Sequence, residues 1–326
     1  MIVPNHWAEA RKQHKASGKQ ITVRRYGWSA TSESEALANA EARADDALRR
    51  IVAGEKLDRR EPKVPYNGAA GIPIREEVLS RHGEQVITRN AYGAHCLNSP
   101  NALFADIDFY PERSAKTALV AFGLLTLTAA ITGLALRSWG VGLGILFVAL
   151  FVAAPLASIV MRLSVAAGGG AERIARVKLA AFLSRNPSWN IRVYRTPAGC
   201  RLLATHQAFE ASSAEVKEFF VAVSADPIYI RMCINQQCFR ARLTAKPWRI
   251  GISAHMRPRP GIWPVRPERL AVRNEWLSIY EAKAASYSAC HYIESMGSGV
   301  VDHSLQAVIE LHDQESRALE SGRKLA

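Results

Sequence analysis

The chain has 326 residues, with 42 Lys and Arg against 29 Asp and Glu, a formal charge of +13 and a pI near 9.8. That length accommodates one large or two modest cores, and a positive surface attracts nucleotide phosphates, nucleic acid or anionic lipid head groups. Five scattered cysteines (Cys96, Cys200, Cys233, Cys238, Cys290) argue against a disulfide framework, so reduced thiols are expected.

The first residues contain no apolar run behind a basic start, so no cleavable signal peptide is expected there. Residues 21–28 read as a strand and 31–53 as an Ala-rich helix, with Ser or Thr at its start and Gly54 as its stop. A Pro- and Gly-rich connector covers 59–71. A short helix is expected over 74–81, a strand over 85–92, and a second strand over 102–109 whose inner residues are apolar apart from Asp106 and Asp108.

Residues 117–136 and 140–161 are free of charge, and about 20 helical residues at roughly 1.5 Å each span a hydrocarbon core of about 30 Å. Only Arg137, Ser138 and Trp139 lie between them, so the two spans form an antiparallel hairpin with both outer ends on one side. Arg113, Lys116, Arg162, Arg173, Arg176 and Lys178 flank those outer ends against Arg137 alone in the turn. The positive-inside bias then predicts a multi-pass inner-membrane protein, with the lipid bilayer as a partner and both soluble parts cytoplasmic. No ionisable group lies within either span, which argues against a transport pathway. The expected organisation is an N-terminal part (1–114), the hairpin (115–166) and a C-terminal part (167–326) that shares a sheet with the first.

After the hairpin, 166–170 reads as a flexible link and 171–184 as a helix. Residues 191–195 and 201–205 alternate around Thr196-Pro197-Ala198-Gly199, a β-hairpin pattern. A helix over 213–223, strands over 228–234 and 238–243, a proline-rich loop over 257–267 and a largely helical stretch over 268–295 complete the reading. The expected class is α+β, a mixed or antiparallel sheet with helices, interrupted by the membrane hairpin.

Asp106 and Asp108 stand at i and i+2 on a strand and so point to one face. Two acids this close repel one another unless a cation lies between them, and oxygen ligands of this kind suit Mg²⁺ or Mn²⁺. The bland reading is a strand end whose acids meet solvent or pair with Arg. Farther on, Arg240, Arg242 and Lys246 alternate along a strand that runs to Trp248, a pattern suited to lining a phosphate path with a stacking surface for a base. Its bland alternative is a sheet edge protected by charge. A zinc site from Cys233, Cys238, Cys200 and His206 is a weaker possibility, since the cysteine spacing is not the usual one.

An apolar strand ending in Asp-x-Asp, then a helix, then a Thr-x-x-Gly turn leading to His206 at the end of the next strand resembles the archaeo-eukaryotic primase and primase-polymerase superfamily. The resemblance covers residues 102–249 and implies an RRM-like, primase-like core split by the hairpin. It implies Asp106 and Asp108 as catalytic metal ligands, His206 as a contact to the incoming nucleotide, Arg195 and the cationic strand as nucleotide or nucleic-acid contacts, and metal-dependent nucleotidyl transfer. One departure stands out. The third acid that the superfamily carries on a later strand is missing from 228–234, with Asp226 the nearest candidate, so a non-catalytic protein of scaffold or sensor type is the alternative. A glycosyltransferase-like reading of Asp-x-Asp fares worse, because too few βα units precede the acids.

Overall fold

The computed structural model describes residues 3–16, 19–61, 72–109, 115–259 and 261–326, so the connector over 62–71 lies outside the described residues. Within them the chain is α+β, with eight α-helices and two four-stranded antiparallel sheets.

The first unit is a long hairpin, β1 (His6–Ala16) and β2 (Lys19–Ser29), covered on one face by α1 (Glu33–Val52). Ser32 caps α1 by accepting the Glu35 N–H at 3.2 Å, and Ala36, Ala40, Ala44 and Ala47 form its buried stripe. A Cβ at Gly27 would lie 2.1 Å from the Ala40 nitrogen, so glycine lets α1 rest directly on β2. Strand β1 carries no clear sequence signal: among its described positions only Trp7 and Ala10 are buried, and most of the rest are polar.

One sheet contains β3 (Glu77–His82), β4 (Gln85–Arg89), β5 (His95–Ser99) and β9 (Phe239–Arg242), in the order β3-β4-β5-β9. The other contains β6 (Phe104–Asp108), β7 (Asn190–Arg195), β8 (Gly199–Ala204) and β11 (His291–Gly297), in the order β11-β7-β8-β6. Strands from before and after the helical hairpin therefore meet in both sheets, β5 with β9 and β6 with β8.

Three expectations fail here. The helix expected over 74–81 is instead extended chain leading into β3, which turns at Gly83 (φ +60°) and pairs with β4. The strand expected over 228–234 is helix α6 (Pro227–Gln236). Asp226 caps it by accepting the Ile228 N–H at 3.0 Å, Pro227 suits its first turn, and the buried Tyr229, Met232, Cys233 and Gln236 recur at helical spacing. The helix expected over 268–295 ends early: α7 (Leu270–Ala284) gives way to a short strand, β10 (Tyr287–Ser288), and then to β11. Beyond these lie α8 (His303–Ser316) and β12 (Lys324–Leu325), which pairs with β10.

Helices α2 (Ala115–Ala135) and α3 (Trp139–Ala167) pack against each other across a turn at residues 136–138, where Arg137 has φ +49°. Ala129, Ala149 and Ala153 are buried, and a Cβ on Gly133 would come 3.2 Å from the Gly142 Cα, so small residues bring the two backbones together. Helix α3 is long and apolar enough to cross a membrane, while the described apolar run of α2, Leu119–Ala135, is shorter.

The main core lies between the β6-containing sheet and helices α4 (Ala171–Arg185) and α5 (Ala214–Val223), around Phe182, Trp189 and Phe219. Helix α8 supplies Leu305, Val308, Ile309 and His312 to the same core, with His312 against Phe104 and Tyr194. The edges of the two sheets are stitched together by Tyr229, whose hydroxyl lies 3.0 Å from both the Phe104 and the Arg240 carbonyls.

Candidate functional site

Strand β6 alternates cleanly. Asp106 and Asp108 share one face while the buried Ile107 and Phe109 occupy the other. Register places Asp106 opposite Arg201 and Asp108 opposite Gly199. A Cβ at Gly199 would lie 1.8 Å from the Ile107 carbonyl oxygen, so a glycine is needed for β8 to approach β6 this closely.

The two acids have different surroundings. Asp106 is held by Arg201 in a two-pronged pair, Nε to Oδ1 at 2.8 Å and Nη2 to Oδ2 at 3.1 Å. The Arg201 side chain is only 2% exposed, and its Nη1 also donates to the Arg242 carbonyl at 2.9 Å, tying the two sheets together a second time. Asp108 is exposed at the strand end; partial desolvation, then Asp106 and Asp226, push its carboxyl above the usual carboxylate range. Asp226 reaches this neighbourhood through its backbone, its N–H donating to the Asp106 carbonyl at 3.3 Å, but its side chain is engaged in capping α6.

A cavity of about 290 Å³ opens where the sheets diverge, with Asp106 on one wall and Tyr92, Met232, Arg242 and Lys246 among the residues of the others. Burial lowers the Lys246 ammonium below its ordinary value, helped by the like charges of Arg242 and Arg249. Arg249 is lowered in the same way, by burial and then Arg242. Arg242 Nη1 is engaged by the Thr244 carbonyl and, at 3.4 Å, by an oxygen of Ala326 at the last position, whereas among the described residues neither Lys246 nor Arg249 pairs with an Asp or Glu side chain. Trp248 is 56% exposed beside them, 5.3 Å edge-on from Tyr92 and 5.5 Å from the Lys246 ammonium.

Of the residues singled out from the sequence, Asp106, Asp108, Arg242, Lys246 and Trp248 gather around this cleft. Three others do not serve it as expected. Arg240 lines the cavity, but its guanidinium is buried against Glu76, with Nη2 at 2.9 and 2.8 Å from the two carboxylate oxygens. Arg195 lies on the opposite face of the sheet, paired with Glu172 of α4 at 3.1 Å and stacked 4.6 Å from the Phe109 ring. His206 follows the far end of β8, about 17 Å along the strand from Arg201 at roughly 3.3 Å per residue, on the face covered by α4 and α5. Its ring packs against Trp189 at 4.6 Å and Phe209 at 5.4 Å, and Nδ1 accepts the Asn190 N–H at 3.3 Å. Burial lowers its basicity, and Nε2 has no partner among the described residues. The acid pair and His206 therefore do not face one pocket.

The donor set fits a divalent metal poorly. Both oxygens of Asp106 are engaged by a guanidinium, the Asp226 side chain caps a helix, and no group of three or more His, Cys, Asp or Glu among the described residues is placed to hold a metal ion. The same holds for zinc at Cys233 and Cys238, and burial raises both of those thiols. Sequence reasoning missed Arg201 and Tyr92. Arg201 was legible in principle, since a strand pairing with Asp-x-Asp brings an arginine opposite the first acid. No family model, curated protein or solved structure matches the chain.

Proposed function

We propose that this chain is a hairpin-anchored inner-membrane protein that binds a phosphate-bearing ligand, a nucleotide or nucleic acid, in the cleft between its two sheets on the cytoplasmic side. The reading is one of binding, of sensor or scaffold type, because the acids and His206 are not arranged for metal-assisted nucleotidyl transfer.

The observation that carries the ligand reading is the pair Lys246 and Arg249, unpaired with any described Asp or Glu side chain, beside Arg242 and flanked by an exposed tryptophan. Cations held close enough to depress one another are stabilised by an incoming dianion, and an aromatic face beside them offers a stacking surface for a base. The membrane reading is supported by the outer surface of α2 and α3. Leu127, Ile131, Phe147, Leu150 and Phe151 are all more than half exposed, an apolar expanse that would be a liability in water. The hydroxyls of Thr126, Thr128 and Ser158 each return to the carbonyl four residues earlier at 2.9 Å, as the hydrocarbon region demands. Only six residues separate Phe109's neighbour Asp108 from the start of α2, so the cleft works close to the bilayer surface.

The test is a titration of the full chain in lipid nanodiscs with ATP and with a single-stranded oligonucleotide, followed through Trp248 fluorescence. Saturable binding that weakens by about tenfold in Lys246→Ala, roughly the worth of one charge-assisted contact, is the expected result. Binding that is absent, or unchanged in Lys246→Ala and Arg249→Ala alike, would overturn the reading.

A further inference from the structure

The acid pair carries a second message, which rests on the cleft being a phosphate site. We propose that Arg201 is a built-in cation standing where a divalent metal would otherwise sit against the acid pair, so that the cleft takes its ligand without Mg²⁺ or Mn²⁺, and that His312 and Asp313 are the positioning residues that hold it there.

The guanidinium is fixed from three elements. On β6 it grips both oxygens of Asp106, at 2.8 and 3.1 Å. On the neighbouring sheet its Nη1 donates to the Arg242 carbonyl at 2.9 Å. From α8, His312 Nε2 approaches the same Nη1 at 3.4 Å. A guanidinium nitrogen only donates, so in this contact Nε2 is the acceptor and the ring proton sits on Nδ1, which donates to Asp313 Oδ1 at 3.0 Å, while Cys290 Sγ lies 3.9 Å from the same Nε2. Asp313 is anchored in turn by Arg192 Nη2 at 2.5 Å on its other oxygen. His312 is fully buried, clamped between the Phe104 ring at 5.1 Å and the Tyr194 ring at 4.8 Å. A chain of contacts thus runs from Asp313 through His312 and Arg201 to Asp106, and no link in it is free to swing away.

The consequence is electrostatic. An arginine keeps its charge at every accessible pH, and a permanent monocation in contact with Asp106 repels any dication brought to the same carboxylate. It also cancels the charge that Asp106 would set against an entering phosphate, leaving Arg242, Lys246 and Arg249 to act on the ligand. A lysine at this position could not grip both oxygens while serving two further acceptors. The arrangement accounts for an Asp-x-Asp strand beside a cationic cleft, two features that pull in opposite directions unless the first acid is neutralised from within.

The experiment uses the full chain in nanodiscs, with Mn²⁺ binding followed by electron paramagnetic resonance and pyrophosphate binding by calorimetry, in EDTA and in Mg²⁺. The wild-type protein should bind no Mn²⁺ through Asp106, and its pyrophosphate affinity should differ by less than about twofold between the two buffers. Arg201→Gln should gain Mn²⁺ affinity by about tenfold or more, a gain abolished by adding Asp106→Asn. Should Arg201→Gln not fold, His312→Gln serves as the milder variant, and the loosened guanidinium should let a smaller gain of Mn²⁺ binding appear. Wild-type Mn²⁺ binding that disappears in Asp106→Asn, or pyrophosphate binding that requires Mg²⁺, would overturn the proposal. Pyrophosphate that fails to bind in either buffer would instead overturn the phosphate reading of the cleft, while the Mn²⁺ comparison would still decide the role of Arg201.

Discussion

Replacing His206 by Phe separates the role suggested by its place after the Thr-x-x-Gly turn from the role its surroundings give it. Phenylalanine keeps the stacking on Trp189 and Phe209. It removes the buried, unpartnered Nε2, whose burial costs about 1–3 kcal/mol, and it also removes the acceptor for the Asn190 N–H, a loss of similar size. The two offset, so stability at pH 8 should stay within about 1 kcal/mol of wild type. Acid behaviour should change more clearly. Burial holds the folded-state imidazole below its ordinary value of 6.5. The unfolded chain therefore binds the proton first, so the stabilisation is complete above pH 6.5 and is lost as pH falls through the lower folded-state value. Linkage caps that loss at about 1.4 kcal/mol per pH unit, and the partial exposure of the ring keeps it well under that limit. Thermal unfolding of the nanodisc-embedded protein, followed by tryptophan fluorescence at pH 5, 6, 7 and 8, should show that component in wild type and not in the variant. Nucleotide affinity should be equal in the two. A variant that folds normally yet loses the ligand would refute the assignment of His206 to the core.

Asp108→Asn should tighten binding of a phosphate ligand by about threefold to tenfold at pH 7.5, the effect of removing one nearby negative charge in a partly solvated site. Because the Asp108 carboxyl titrates above the usual range, wild-type affinity should climb as pH falls through that raised value, and calorimetry across pH should find this climb missing in the variant. Arg240→Ala should cost about 3–5 kcal/mol of stability by leaving Glu76 buried and uncompensated, measured by thermal unfolding, with ligand affinity of the folded fraction little changed. Gly133→Leu should force α2 from α3 at the point where the Gly142 Cα lies 3.2 Å from the added Cβ, costing about 1–3 kcal/mol and lowering the melting temperature in detergent by several degrees.

The parts of the fold that could be read in the sequence were those governed by local rules. The uncharged runs, the Ser32 cap of α1, the turn at residues 196–199 and the alternation of β6 all rest on contacts within a few residues. The strand β3 and the helix α6 were misread because a short apolar run is ambiguous between periods. In α6 the decisive signal was the Asp226-Pro227 start, which marks a helix, whereas its apolar residues had suggested a strand. The site was half legible for a related reason. Alternation places Asp106 and Asp108 on one face, but it does not say that β8 brings an arginine opposite Asp106, that Glu76 claims Arg240, or that His206 faces α4 and α5 instead of the cleft. Those facts depend on register between strands separated by the whole helical hairpin.

A structure of the full chain in a lipid nanodisc with a bound nucleotide would place the ligand outright. Phosphate density between β6 and the Arg242, Lys246 and Arg249 side chains, with α2 and α3 in the bilayer and no metal ion bridging Asp106, is the result expected. Density beside His206 or Arg195, or a metal ion on Asp106 with Arg201 displaced, would contradict it.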